Sequence, residues 1–159
     1  MIKILFLDVD GTLTDGQIYI GNNGELFKSF HAHDAVGLRK LPKNNVKTVI
    51  ITGRKSKIVE IRAKEMNISE VYQGVEDKKE KLQEIIEKHN ISFQEAAYIG
   101  DDENDYDAMI CCKYRACPNN ATQPIKDCAN FIAKYDGGYG AVREYCEYIL
   151  KINKEKNES

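Results

Sequence analysis

Apolar residues in this chain come in short blocks that break off at the same kind of place. Ile4 to Leu7, Val46 to Ile51 and Ala96 to Ile99 are each followed at once by an acid, a threonine or a glycine. Blocks of this length with little polar alternation predict strands buried on both faces of a sheet. Between them the period lengthens. Ser56 to about Met66, with Ile58 and Ile61, and Lys78 to His89, with Leu82, Ile85 and Ile86, carry apolar stripes at helical spacing. Asp34 is placed to cap a short helix from Ala35 to Leu41 that Pro42 would stop. Further on, Asn104 to Ile110, Gln123 to Cys128 and Ala141 to Lys151 read as helices, and Val71-Tyr72, Tyr114 to Cys117 and Asn130 to Ala133 as short strands.

One stretch departs from this alternation. Gln17 to Ile20 and Glu25 to Phe30 flank Gly21-Asn22-Asn23-Gly24, two β-rich runs around a turn cluster, and predict a β-hairpin. Strands otherwise alternating with helices imply right-handed βαβ units. The expected fold is α/β, a three-layer sandwich on a mostly parallel, Rossmann-like sheet, with the hairpin inserted after the first strand. One domain spans residues 1–152, and Asn153 to Ser159 is a polar tail expected to fray. No separate cap domain fits between Asp10 and Thr52 or between Thr52 and Asp101.

Composition adds mainly exclusions. With 159 residues the chain can bury a full core without staples. A formal net charge of −2 gives no electrostatic reason to expect nucleic acid or an anionic membrane as partner. No apolar stretch is long enough to cross a bilayer and no leader pattern precedes the first strand, so a cytoplasmic protein is expected. Five cysteines, Cys111, Cys112, Cys117, Cys128 and Cys146, form neither a disulfide framework nor a zinc pattern and read as buried thiols.

The chemistry sits where the buried blocks end. The first ends in Asp8-Val9-Asp10-Gly11-Thr12, the second in Thr52-Gly53-Arg54, the third in Gly100-Asp101-Asp102, and Lys78 opens a helix. In a parallel sheet, ligands bind beyond the carboxyl ends of the strands. Adjacent ends would bring Asp8, Asp10, Thr52, Lys78 and Asp101 together. Carboxylates suit Mg²⁺, and an aspartate can attack phosphorus while a metal, an ammonium and fixed donors offset the phosphoryl charge. An EF-hand is excluded, because counting from Asp8 puts Leu13 where its glycine belongs and Tyr19 where its glutamate belongs. The acidic run from Asp101 could serve only as a helix N-terminus. A phospho-receiver module would carry its phosphoacceptor at the end of the third strand, where Tyr72 is followed by Gln73-Gly74.

The order Asp8-x-Asp10-Gly11-Thr12, Thr52-Gly53, Lys78, Gly100-Asp101-Asp102-x-x-Asp105 resembles the four motifs of the haloacid dehalogenase superfamily of phosphatases. More narrowly, Asp15-Gly16, Gly21 to Glu25, Ile51 to Lys55, Tyr72-Gln73-Gly74 and Gly137-Gly138-x-Gly140-Ala141-Val142-Arg143-Glu144 resemble the 3-deoxy-D-manno-octulosonate 8-phosphate phosphatase family, over about Lys3 to Leu150. The resemblance implies Asp8 as nucleophile and Asp10 as proton donor and acceptor. It implies Mg²⁺ on Asp8, the Asp10 carbonyl and Asp101, with Mn²⁺ or Co²⁺ as substitutes. Thr52 and Lys78 would bind the phosphoryl group, with Gly53 behind them. Asp105 or Asp102 would orient Lys78 or a metal-bound water. Arg39, Arg54, Arg62 and Asn104 would reach the sugar acid. It also implies a homotetramer, in which the hairpin packs between subunits and the loop from Gly137 and the last helix line a neighbour's site.

One segment departs from the family pattern. His31-Ala32-His33-Asp34-Ala35 stands where Asn-Val-Arg-Asp-Gly is usual, in the place where the sugar would bind. His31, His33, Asp34 and Ala35 are therefore candidate specificity residues. The expected substrate is octulosonate 8-phosphate, with a nine-carbon sialic-type acid 9-phosphate as the alternative.

Overall fold

In the computed structural model, which describes residues 1–158, β1 (Ile4–Leu7) runs up the centre of a six-stranded sheet. The other strands are β4 (Lys47–Ile51), β5 (Glu70–Tyr72), β6 (Ala96–Ile99), β7 (Tyr114–Cys117) and β8 (Phe131–Ile132). They lie in the order β5-β4-β1-β6-β7-β8, and every pairing is parallel. Connections from β1 run outward to β4 and β5, then cross back to β6 and continue the other way. The carboxyl end of β1 therefore borders the topological switch point, where open α/β sheets bind ligands.

Alternation within the buried strands separates the two faces. Leu5, Leu7, Ile50, Ala97 and Ile99 enter one core, with residues of α1 (Ala32–Lys43), α2 (Lys57–Glu65) and α6 (Ala141–Glu158). Ile4, Phe6, Val49, Ile51, Ala96 and Tyr98 enter the other, with α3 (Lys78–Lys88), α4 (Tyr106–Met109) and α5 (Gln123–Cys128). Outside this sandwich stands one excursion, the antiparallel hairpin β2 (Tyr19–Gly21) and β3 (Gly24–Phe27). Among the described residues there is no separate cap.

Three local expectations are corrected. Helix α1 starts three residues earlier than the Asp34 cap implied: His31 is the N-cap, its Nδ1 accepting from the His33 N–H at 3.1 Å. Pro42 lies inside the last turn, and the chain leaves the helix through Asn45 at φ +63°. Residues 104–110 form a 3₁₀ turn, Glu103–Asp105, before the single-turn α4. Of the expected polar tail, residues 153–158 are helical, α6 continuing to Glu158 with buried Asn153 accepting from the Ile2 N–H at 2.7 Å and donating to the Ile2 carbonyl at 2.9 Å, while Ser159 lies outside the described residues. A polar side chain that satisfies an edge of β1's approach looks like solvent-facing sequence until its partner is known.

Candidate active site

The turn after β1 is wound around one carbonyl. Val9 O accepts from the N–H groups of Thr12, Leu13 and Thr14, while Thr14 Oγ1 accepts from Gly11 and Gly16. Gly11 has φ +88°, and a Cβ there would come within 1.8 Å of Asp101 Oδ2. The position admits glycine alone, for its left-handed backbone and for the approach of Asp101.

This winding aims Asp8 and Asp10 at a cleft of about 170 Å³ lined by Asp8, Asp10, Thr52, Gly53, Arg54, Asp101, Asp102 and Asn104. At its floor, Lys78 Nζ donates to Asp8 Oδ1 at 3.0 Å and to Asp105 Oδ1 at 2.9 Å. All three side chains are almost fully withdrawn from water. Asp105 is saturated: Tyr98 OH donates to Oδ1 at 2.7 Å, and the N–H groups of Asp101 and Asp102 donate to Oδ2 at 3.1 and 3.4 Å. It is a holder of Lys78 and of the Asp101 turn. Asp102, exposed, instead caps the 3₁₀ turn through the Glu103 N–H.

Carboxylate oxygens of Asp8, Asp101 and Asp105 lie within 4.8 Å of one another, facing one ammonium. Burial pushes the Asp8 carboxyl well up, the charge on Asp105 adds to this, and Lys78 only partly opposes it. Asp101 is pushed up to about 7, by burial and then by Asp105. Its buried Oδ1 has no hydrogen-bond partner. An excess of buried negative charge with an orphaned oxygen fits a hard divalent cation. With Asp105 fully engaged, Asp8 and Asp101 are the carboxylates free to ligate it. The carboxylate of Asp10 is not one of the three that cluster; it lines the cleft beside them, with Oδ1 accepting from Lys28 Nζ at 2.6 Å.

The remaining candidate residues divide sharply. Thr52, Gly53, Arg54 and Asn104 line the cleft, with Arg54 Nε 3.9 Å from Asp10 Oδ2. The others do not line it. Arg39 donates to the Glu65 carbonyl at 2.9 Å, joining α1 to the end of α2. Arg62 packs over the Phe30 ring, pairs with Glu65 at 3.4 Å and donates to the His31 carbonyl at 3.5 Å. His31 is a helix cap, and His33 lies edge-on against it. Asp34 and Ala35 are buried, Asp34 accepting from the Arg143 N–H at 2.9 Å where α6 meets α1, with its carboxyl pushed up to about 6 by burial. Within this chain, then, none of His31, His33, Asp34, Ala35, Arg39 and Arg62, expected to meet the sugar, lines the cleft.

Two participants escaped the sequence reading. Tyr98 had a signal, since a phenol in a doubly buried strand needs a partner for its hydroxyl. Lys28 had none, because a lysine in a hairpin ordinarily faces solvent. The loop from Gly137, expected to line a neighbour's site, packs on this chain's own turn after β1. A Cβ at Gly137 would stand 2.0 Å from the Gly11 carbonyl, and the Gly138 N–H donates to the Thr12 carbonyl at 3.4 Å.

Residues 55–144 match the family model of haloacid dehalogenase-like hydrolases. The 3-deoxy-D-manno-octulosonate 8-phosphate phosphatase of Escherichia coli K12 is 38% identical over 99% of this chain and 86% of its own length. The Moraxella catarrhalis enzyme of that name, solved with magnesium, phosphate and KDO (the octulosonate), superposes with a TM-score of 0.91 at 40% identity, covering 94% of this chain and 86% of that one. A cobalt-bound Haemophilus influenzae phosphatase of the same description gives 0.91 at 32% identity, over 94% and 88%. Three strand-end motifs and Lys78 gathered at one cleft, together with this near-complete coverage, lead to the same place: the chain is a haloacid dehalogenase-like hydrolase and belongs to the 3-deoxy-D-manno-octulosonate 8-phosphate phosphatase family.

Proposed function

We propose that the chain hydrolyses 3-deoxy-D-manno-octulosonate 8-phosphate to the octulosonate and phosphate. The observation that carries this reading is the floor of the cleft, where Asp8 faces Lys78 and Asp101 with Asp10 beside them. Asp8 attacks phosphorus, a bond forms between its carboxylate and phosphorus, and the bond from phosphorus to the sugar oxygen breaks. Asp10 gives its proton to that departing oxygen. Asp10 then takes a proton from the water that attacks the aspartyl phosphate, the bond to Asp8 breaks, and phosphate leaves with the Asp8 carboxylate restored. Lys78 and the Thr52 hydroxyl hold equatorial phosphoryl oxygens. Asp8, Asp101 and the Asp10 carbonyl would hold Mg²⁺, which supplies positive charge against the phosphoryl oxygens when bound. Arg54, half exposed at the cleft mouth, suits the sugar carboxylate because guanidinium binds carboxylates bidentately.

The cleft volume bears on assembly. Small-molecule sites usually measure about 300–1,000 Å³, so about 170 Å³ accommodates the phosphoryl end and leaves the sugar uncovered. Ile18, Ile20, Leu26 and Phe27 on the hairpin are exposed apolar side chains. A homotetramer that buries them supplies the missing wall, and light scattering showing a monomer at working concentration would remove it. Five free cysteines suit a reducing cytoplasm.

The test of function is Mg²⁺-dependent phosphate release from the octulosonate 8-phosphate, nine-carbon acid 9-phosphates and hexose phosphates. The highest kcat/KM is expected for the octulosonate, and a preference for a nine-carbon acid overturns the substrate. Against that alternative, the departing segment His31 to Ala35 is occupied with capping and packing.

A further inference from the structure

One buried charge has no task in this scheme. Lys28 follows β3, beside side chains that face outward, yet its own side chain is 3% exposed. Its ammonium lies 2.6 Å from Asp10 Oδ1 and 2.8 Å from Glu25 Oε1. The other Glu25 oxygen accepts from Ser56 Oγ at 2.5 Å. The Ser56 N–H donates to Gln73 Oε1 at 2.7 Å, and Gln73 Nε2 donates back to the Ser56 carbonyl at 3.1 Å. A continuous polar chain therefore runs from Asp10 through the hairpin to the start of α2 and the segment after β5.

Folding the hairpin does not require this arrangement. Glu25 and Lys28 could pair in solvent, where such pairs contribute little, whereas withdrawing an ammonium from water is costly unless its partners compensate. Lys28 does not line the cleft, so it is not placed to hold substrate. The competing pull on Asp10 is Arg54, half exposed and 3.9 Å from Oδ2. A carboxylate on a turn, left between a half-exposed guanidinium and solvent, would have nothing to hold it in line.

We infer that Lys28 is the positioning residue for Asp10: by fixing Oδ1 from the hairpin side it leaves Oδ2 aimed into the cleft, and Glu25 and Ser56 fix Lys28 in turn. The inference rests on Asp10 as the proton donor and acceptor. It also makes the hairpin part of the catalytic apparatus within a single chain.

The test compares wild type, K28M, K28A, E25Q, D10N and D10N/K28M as full chains with Mg²⁺ and octulosonate 8-phosphate. Misplacing a reacting group by about 1 Å lowers rates on the order of 10²-fold, so K28M should lose about that factor in kcat with KM within about twofold. Assembly mass should be unchanged. n-Propylammonium should restore part of kcat in K28A, and tetramethylammonium, which has no N–H, should not. K28M should lower the rate of D10N by less than about threefold, because the two act as one unit. E25Q, which keeps the lysine and the volume, should lose about fivefold, and it decides the matter if K28M and K28A fail to fold. The inference is overturned if kcat of K28M or E25Q stays at wild-type level, if propylammonium rescues nothing, or if the D10N and K28M losses multiply. No turnover by wild type overturns both this inference and the proposed function. Wild-type turnover with an indifferent Lys28 overturns this one alone.

Discussion

Two carboxylate clusters lie at opposite ends of the same sheet, and their hydrogen bonding differs in a way that separates function from stability. At the amino end of edge strand β5, burial alone would raise Glu70. Hydrogen bonds from Lys88, Tyr72 and His89 outweigh it and hold the carboxyl down at about 2. Both oxygens there have partners, Lys88 and the Tyr72 hydroxyl on Oε1 and the His89 ring on Oε2. At the carboxyl ends of β1 and β6 the balance is reversed. Burial lifts Asp8 and Asp101, three carboxylates cluster with a lysine that pairs with only two of them, and Asp101 Oδ1 has no hydrogen-bond partner. The first cluster is complete and stabilises the fold. The second is incomplete and waits for a cation and a phosphoryl group, a kind of strain that active sites store at the expense of stability.

Asp8→Asn breaks the comparison most strongly. The amide keeps the shape and loses the nucleophile, so turnover should fall by about 10⁴-fold or more. Because one excess charge is also removed, the metal-free variant should melt higher than wild type. A gain of about 1 kcal/mol corresponds to roughly 2–4 °C at this chain length. Retained turnover removes the covalent mechanism, and a lowered melting temperature removes the claim that the cluster is strained. Gly137→Ala tests the support beneath the same turn. A methyl group 2.0 Å from the Gly11 carbonyl forces the Asp8 to Thr14 turn to move. A loss on the order of 10² in kcat is expected, with the fold retained by circular dichroism; undiminished kcat would show that the glycine loop does not set the turn.

Metal and pH sharpen the contrast further. Asp101 has its carboxyl raised from 3.8 to about 7, so the folded chain binds more protons than the unfolded chain between those values. Metal-free stability attributable to this group should therefore fall as pH rises from about 4 to about 7. Mg²⁺ at a hundred times its Kd should add about 2.7 kcal/mol at neutral pH and flatten that slope. Asp101→Asn should show a shallower slope, the remainder coming from the raised carboxyls of Asp8 and Asp34, and no metal response. Thermal melts with and without chelator across this range decide it, and a metal-free protein that gains stability towards pH 7 through Asp101 contradicts the sign.

What could be read from residues alone follows the same division. Strands β1, β4 and β6 were legible because doubly buried runs end abruptly, and Asp8, Thr52 and Asp101 because those ends are polar. Lys78 was marked by motif order, and it is the lysine that pairs with Asp8 and Asp105. The illegible residues are those whose meaning depends on a distant partner. Asn153 looks like tail until Ile2 is beside it, and Lys28 looks like a surface lysine until Asp10 is. Conversely Arg39, Arg62 and Asp34 carry the chemistry of a binding site and use it between α1, α2 and α6. Charge type alone does not distinguish a ligand-binding residue from one that joins two helices.

Glu70→Gln is the smallest break and the cleanest control. Because the folded carboxyl is depressed from 4.5 to about 2, its contribution is fully present above pH 4.5 and is lost as pH falls towards 2. The group is partly exposed, so the contribution at pH 7 should be no more than about 1 kcal/mol after solvent screening. The variant should melt slightly lower than wild type at pH 7, and the two curves should converge as the pH is lowered through this window. Its turnover should be unchanged, since Glu70 lies at the far end of the sheet from the cleft. If E70Q instead altered kcat, the two clusters would be coupled through β5 and Gln73, the residue that already joins that strand to Ser56 and the Lys28 chain. Titrating melting temperature and kcat in parallel therefore tests whether completeness at one end of the sheet is independent of incompleteness at the other.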